Sequence, residues 1–572
     1  MSEPAVPRAQ QLRLRENQVF LILTIVIGVV CGLSAVLFTV AIEQTSHRLF
    51  GLAPSRLRLF AIPPLMSIVT GILLAKVFPD VRGSGVPQTE TAYHLHGGVI
   101  PARVPFGKFL TGVLCIGSGH SMGREGPSVQ IGAGLASLIG RWLHLSPQRV
   151  RDLVPVGAAG ALSAAFNTPV AAVLFALEEI IGDMNAALLG STVVASVAAV
   201  IVERSILGNE PLFHVPTYRL VHPAELLAYA ALGVIGGIVS LIFCKALVAL
   251  RGAFLRLPQS TKWFQPAIGG LVIGAILIYS PAIMGVGYEY VDQALNGGLL
   301  LKTMAILCFL KLGATIVSYA SGNAGGIFAP SLYIGAMAGG AVGMLVHRVA
   351  PFPTGDPGAY ALVGMGTLFA GIIRAPMTSV FMIFEITQDY QILVPLMVAN
   401  MLSFMISKHY QPVPVYHALL HQDGVHLPSP ATAAAGPGTL ARQVMRTDMT
   451  FIAPDCSVAD ALRDADDSHE PAYLVGTRER LVGVVTRSQL EKLRDAGRDT
   501  DRLDSLAPEE FAHAHPDHPL DVVLERLAES DGILPVVSRT EARRVEGVIT
   551  GESLLRAAGE RRRRARGTAP QV

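Results

Sequence analysis

Three pentapeptides of the form Gly-x-x-x-Pro interrupt strongly apolar sequence: Gly83–Pro87 (GSGVP), Gly123–Pro127 (GREGP) and Gly326–Pro330 (GIFAP). Glycine admits turns that other residues resist, and proline suits the first helical position. Each pentapeptide therefore predicts a helix start. A helix start inside a membrane is costly, because its first N–H groups have no intrahelical partners. It is tolerated where it lines a cavity or faces something negative, so three together point to an anion site. The pattern alone is weak: Gly97–Pro101 (GGVIP) also fits it, in a polar, histidine-containing stretch that reads as a loop.

The 572 residues are 51% hydrophobic and only 15% charged, with a mean hydropathy of +0.47. That excludes an ordinary soluble enzyme and predicts a multi-pass membrane protein with a soluble part. Apolar runs begin at Gln18–Ile42 and recur to about Ser407; from about His421 the chain turns polar. The net charge of +2 singles out no partner, nucleic acid included. Cys31, Cys115, Cys244, Cys308 and Cys456 show no CxxC spacing, which predicts free thiols, no metal site and no disulfide framework. Arg8, Arg13 and Arg15 precede the first run. That run is too long for a signal-peptide core, so it reads as a retained span with a cytoplasmic N-terminus. The basic Arg561–Arg564 run puts the C-terminus on the same side, which requires an even number of crossings.

The apolar region contains a repeat. The segment Gly123–Ala133 matches Gly326–Ala336, 203 residues on, and Pro169, Val173 and Glu178 match Pro376, Val380 and Glu385, 207 residues on. Two matches in the same order predict a duplicated unit with a substrate site between the copies. Sequence leaves open whether the copies are parallel or inverted. The departures from symmetry are informative: Glu125 faces Phe328 and Glu179 faces Ile386, while Glu178 and Glu385 match. A carboxylate present in one copy alone is the better candidate for function.

GSGVP at 83–87, GREGP at 123–127, GGIFAP at 325–330 and the tyrosine of Pro414-Val415-Tyr416 resemble, in order, the motifs of the CLC family of chloride channels and chloride/proton antiporters. The likeness covers roughly residues 17–422. It implies an all-α polytopic membrane domain with an inverted repeat and broken helices, usually a homodimer with one pore per subunit. It also implies chloride held by Ser84, Gly85, Tyr416 and the backbone around Ile327 and Phe328. Gly83, Pro87, Gly123, Arg124, Gly126, Pro127, Gly326 and Pro330 would shape this filter. Ser84 resembles the chloride-preferring members, and Val86 departs from the methionine typical of fluoride exporters.

Physical chemistry agrees with such a site. Helix N-termini and hydroxyls bind an anion without the deep trap of a full cation. Glu125, at a helix start among glycines, is a tethered anion that would occupy the site when ionised and swing aside when protonated, acting as gate and proton carrier. Glu179 matches the glutamate that passes protons on the cytoplasmic side of the family's antiporters; its channels commonly have valine there. The bland alternatives are a Ser84 N-cap, a static Glu125–Arg124 ion pair and a solvated Glu179. Lys108 and Lys311, in apolar stretches, are expected to pair with carboxylates or snorkel. His94, His96 and His120 lack metal-ligand spacing. Gly119–Gly123 fits the G-x-S-x-G nucleophile pattern around Ser121, but no strand precedes it.

Residues 423–438 read as a linker. Two units follow, in which Ala472–Thr486 resembles Ile533–Thr550, each an apolar strand, a polar turn, then apolar-Gly-apolar-apolar-Thr and a helix. They resemble a CBS-domain pair, an α/β module. Nucleotide-binding members carry Asp three residues after the Thr; here Gln489 and Ser553 stand there, which makes an adenosine nucleotide doubtful and leaves no cofactor expected. His513, His515 and His518 read as an exposed loop or a pH sensor. The predicted organisation is a cytoplasmic segment 1–16, a membrane domain 17–422, the linker, the CBS pair 439–558 and a basic tail 559–572. The leading reading is chloride/proton antiport across a bacterial inner membrane. The rivals are a passive chloride channel, an intramembrane serine hydrolase resting on Ser121, and a membrane-anchored nucleotide sensor resting on the CBS pair.

Overall fold

A computed structural model describes residues 8–557, apart from 52, 183–185, 209–211, 214, 216–220, 426, 428–439, 469–471, 506–510, 519, 531, 540 and 542. Most of the expected linker and the whole basic tail lie outside the described residues. The chain divides into two units, Met1–Val425 and His426–Val572.

The first unit is helical throughout. Its first half holds α1 (Arg8–Phe50), α2 (Arg56–Lys76), α3 (Val86–His94), α4 (Arg103–Gly117), α5 (Glu125–Trp142), α6 (Pro147–Phe166), α7 (Pro169–Phe175) and α8 (Ala186–Leu207). Its second half holds α9 (Glu225–Leu255), α10 (Gln265–Tyr279), α11 (Tyr288–Leu295), α12 (Leu301–Ala320), α13 (Phe328–Val349), α14 (Pro357–Ile372), α15 (Pro376–Thr387) and α16 (Leu393–Tyr410), and α17 (Val415–Gln422) follows. The duplication predicted from two matches is thus eight helices against eight. Packing repeats with it: α1 meets α8 as α9 meets α16, and α5 meets α6 as α13 meets α14. Helices α2 and α10, and α7 and α15, which are counterparts, pack on one another.

Among the described residues six helices are long and apolar enough to cross a membrane, and α10, α14 and α15 are shorter apolar helices. Helix α1 begins at Arg8, inside the expected 1–16 segment, because nothing between Arg8 and Gln18 breaks a helix, and its apolar stretch starts at Phe20. The loop reading of Gly97–Pro101 holds. Helices α5, α6, α13 and α14 form the buried centre, and glycines let their backbones touch. A Cβ on Gly132 or Gly157 would overlap the other's carbonyl oxygen, and Gly335 and Gly364 stand in the same relation.

The second unit contains β1 (Phe451–Ile452), α18 (Val458–Ser468), β2 (Ala472–Gly476), β3 (Leu481–Thr486) and α19 (Arg487–Asp495), then α20 (Leu520–Glu529), β4 (Ile533–Val537) and β5 (Val545–Thr550). Strand β1 runs parallel to β2, and β2–β3 and β4–β5 are antiparallel hairpins, as the repeated pattern predicts. The two hairpins share one apolar cluster that includes Leu474, Leu481, Ile533 and Val545.

Candidate anion site and proton-transfer groups

The three pentapeptides become the starts of α3, α5 and α13, and they meet. Helix α3 begins at the fourth residue of its pentapeptide, α5 and α13 at the third. Each proline therefore sits second or third in its helix, not first. Every N–H of the first turn lacks an intrahelical partner, so proline costs no bond at any of these places. Backbone pairing stitches the starts together. Gly123 and Gly326 each donate N–H to the other's carbonyl at 2.8 Å. The Gly83 N–H donates to Asn323 O at 3.2 Å, and Gly325 N–H donates to Gly83 O at 3.1 Å. A Cβ on Gly126 would overlap Ser84 Oγ, and one on Gly326 would lie 3.1 Å from the Gly126 nitrogen. Glycine is required where the starts converge.

Ser84 is fully buried, and Gly85, at φ 108°, takes the N-cap position of α3. The N-cap alternative for Ser84 falls. Ser84 Oγ and Tyr416 Oη, the latter in the first turn of α17, face each other, and neither has a hydrogen-bond partner beyond the other among the described residues. With only each other, one hydroxyl hydrogen stays without an acceptor, which is costly unless a ligand completes the pair. Ile327 caps α13 and Phe328 opens it, both buried.

Glu125 is the first residue of α5 and is fully buried. Its Oε2 folds back over Gly123, beside the Ala329 nitrogen in the first turn of α13. Its Oε1 accepts a hydrogen bond from Tyr288 Oη at 2.7 Å. Arg124 turns instead toward Glu43, at 3.7 Å, and over the Tyr288 ring. The static Glu125–Arg124 pair is not the arrangement found.

Lys108 and Lys311 correct the sequence reading. Both are fully buried and pair with no carboxylate among the described residues. Lys108 Nζ donates to Val81 O at 2.9 Å and Gly83 O at 2.5 Å; Lys311 Nζ donates to Ile283 O at 3.0 Å and Gly285 O at 2.6 Å. Gly285-Val286-Gly287, ahead of α11, is the second-half counterpart of Gly83-Ser84-Gly85. Each ammonium braces the carbonyl side of one such turn and adds positive potential behind it without touching an anion.

Glu178 and Glu179 lie on a π-helical segment, Ala176–Ile181, a form frequent at functional sites. Glu178 accepts from Met377 N (3.3 Å), Thr378 N (2.9 Å) and Thr378 Oγ1 (2.8 Å), capping α15. Its counterpart Glu385 accepts from Val170 N (2.9 Å) and Ala171 N (2.8 Å), capping α7. Glu179 is half-buried and faces the charges of Glu90, His417 and Arg374. Glu90, His417 and Tyr288 were missed in the sequence. The 202-residue offset from Gly83–Gly85 to Gly285–Gly287 is the one signal that leads to Tyr288.

Ser121 Oγ contacts Thr315 Oγ1 at 3.0 Å, and His120 Nε2 contacts Ser67 Oγ at 2.6 Å, so this serine has no histidine base. Among the described residues no group of His, Cys, Asp and Glu forms a metal site. In the second unit, Gln489 and Thr486 bond each other's backbone N–H, as do Ser553 and Thr550. The side chains that replace the nucleotide-binding aspartates thus act as helix caps.

The family description "Voltage gated chloride channel" matches residues 66–408, more than half of the chain. The chain belongs to this family, the CLC proteins. CBS domains match residues 441–494 and 506–560. This CLC chain is 34% identical over 363 residues to a ClcB-like chloride channel protein of Ralstonia nicotianae, covering 62% of this chain and 84% of that protein. It is 29% identical over 416 residues to an H(+)/Cl(-) exchange transporter, ClcA, of Vibrio campbellii, covering 70% and 89%. The crystal structure of a slow cyanobacterial Cl-/H+ antiporter superposes with a TM-score of 0.65 at 28% identity, covering 71% of this chain and 97% of that one. The chain is a multi-pass membrane protein.

Proposed function

We propose that this protein is a chloride/proton antiporter. The observation that carries the reading is the buried hydroxyl pair, Ser84 Oγ and Tyr416 Oη, with no partner beyond each other among the described residues, beside three converging helix starts whose single carboxylate is Glu125. Chloride takes hydrogen bonds from the two hydroxyls and from the amides around Gly85, Ile327 and Phe328. Glu125 competes for the same positive region when ionised, and leaves it with a proton when chloride enters. Glu179 exchanges that proton with the cytoplasmic side. Names of similar proteins, exchange transporters and an antiporter, support the reading. The subunit works as a homodimer in a bacterial inner membrane with both ends cytoplasmic, and the CBS pair has a structural or regulatory part without an adenosine nucleotide.

The ClcB-like relative favours a second reading, a passive channel on the same fold. One experiment separates them. In liposomes holding the full chain, a chloride gradient imposed without a proton gradient drives protons uphill through an antiporter. Chloride flow with no uphill proton movement rejects antiport. Glu125→Gln is expected to keep chloride flux and lose proton coupling; coupling intact in that variant rejects the role of Glu125. Unchanged ion transport in Ser121→Ala leaves the hydrolase reading without support.

A further inference from the structure

Glu90 lies on α3, one turn past the start that carries Ser84. It is fully buried, and neither carboxylate oxygen has a hydrogen bond among the described residues. Its one ion-pair partner among the described residues is the His417 ring, with Nε2 at 3.5 Å from Glu90 Oε2. The two side chains differ in access: Glu90 is 1% exposed and His417 40%. An ionised carboxylate in such a place is expensive, and fold packing alone would be better served by an apolar residue. Helix α3 also packs against the π-helical segment that carries Glu179, and against α17, which carries His417. Glu179 feels the charges of both. The neighbouring Glu178 is committed to capping α15, so it is not free to shuttle protons.

We propose that His417 and Glu90 form a proton relay between cytoplasmic water and Glu179. This rests on the antiport reading. A proton from water charges the exposed ring. Nε2 gives it to Glu90 Oε2, leaving a neutral imidazole and a neutral acid. The acid passes the proton to Glu179 and is again a carboxylate; the reverse order serves outward release. Besides Glu90, the ring faces the charges of Glu179 and Arg374 among the described residues. Arg374, between α14 and α15, bonds the carbonyls of Ser407 in α16 and of Gln411 and Pro412 ahead of α17. His94 lies on α3 with its Nε2 3.1 Å from Ile180 O. Arg251 of α9 and Asp423, beyond α17, pair with each other at 2.7 Å. The ring is thus placed where solvent and a buried acceptor meet.

The test uses the full chain in liposomes, with chloride and proton fluxes measured together. His417→Gln is expected to lower proton flux at least several-fold more than chloride flux, so the chloride-to-proton ratio rises. It should also flatten the dependence of proton flux on cytoplasmic-side pH on the acid side of the usual histidine value. Glu90→Gln should raise the ratio in the same direction. A ratio and pH profile equal to those of the unaltered protein overturn the relay while antiport stands. Parallel loss of both fluxes in both variants also overturns it, in favour of a packing role. An unaltered protein that never moves protons uphill removes the antiport reading itself, and the relay with it.

Discussion

Tyr288 reaches from the second half of the membrane unit to the one carboxylate in the first half's helix start. Its hydroxyl donates to Glu125 Oε1 at 2.7 Å, and its ring is held by the Phe213 edge at 5.2 Å and by Arg124 above. A hydrogen bond to a charged group contributes about 1.5–3 kcal/mol, and about 1.4 kcal/mol is tenfold in a population. On the proposed gating, Tyr288 therefore favours an ionised Glu125 in its seated position by about tenfold. Tyr288→Phe keeps the ring and removes only the donor. If Glu125 gates as proposed, the expected result is a several-fold rise in chloride efflux at neutral pH with chloride-to-proton coupling retained. Efflux equal to that of the unaltered protein would show that the tyrosine is a bystander. Gly126 sets a second test at this scale. The Cβ of Gly126→Ala overlaps Ser84 Oγ, so this substitution should abolish chloride binding measured by calorimetry. Undiminished binding would mean that Ser84 does not face the anion.

At the scale of elements, the two halves hold each other by exchanged caps. Glu178 covers the start of α15, Glu385 the start of α7, and both helices begin with proline. Each carboxylate accepts at least two N–H bonds where an orphaned helix start would otherwise face apolar surroundings. Glu385→Gln loses the charge assistance of two of them, a cost of about 1.5–3 kcal/mol. The midpoint of thermal inactivation should fall by a few degrees, and Glu178→Gln should fall likewise; an unshifted midpoint in both would deny the caps any structural weight. This pairing also explains what was legible beforehand. A helix start in apolar surroundings demands Gly, Pro and an acidic cap, so the 203- and 207-residue matches survived as identities. The third match did not read as one, because only the backbone was constrained. Gly83, Gly85, Gly285 and Gly287 all keep positive φ, while Ser84 is replaced by Val286 and Pro87 by Glu289. Lys108 and Lys311 stand at the 203-residue offset too, but their acceptors are carbonyls on distant turns, which no local pattern reveals.

For the molecule as a whole, the two units should answer acid differently. In the second unit the rings of His513, His515 and His518 form a chain with centroids 5.4 and 4.9 Å apart, half-buried beside β4, where His515 Nδ1 sits 2.9 Å from Val537 O. They are not the exposed loop expected from the sequence. Burial, then the charges of Arg526, His515 and Arg539, holds His518 below the usual histidine value. A group that protonates less readily folded than unfolded gives stability that is fully present above the unfolded value, near 6.5, and is lost as pH falls through the folded one. Asp517, held low first by its hydrogen bond to Arg539, keeps its contribution until pH drops through the carboxylate range, so it does not act in the same window. In the full chain, hydrogen-exchange protection of β4 and β5 should therefore decline between about pH 7 and pH 5. His518→Gln, which cannot take up the proton, should lessen that decline. If protection in β4 and β5 falls equally in the variant, His518 does not set the acid response of the CBS pair. If α5 and α13 lose protection in step with the strands, the two units do not respond separately.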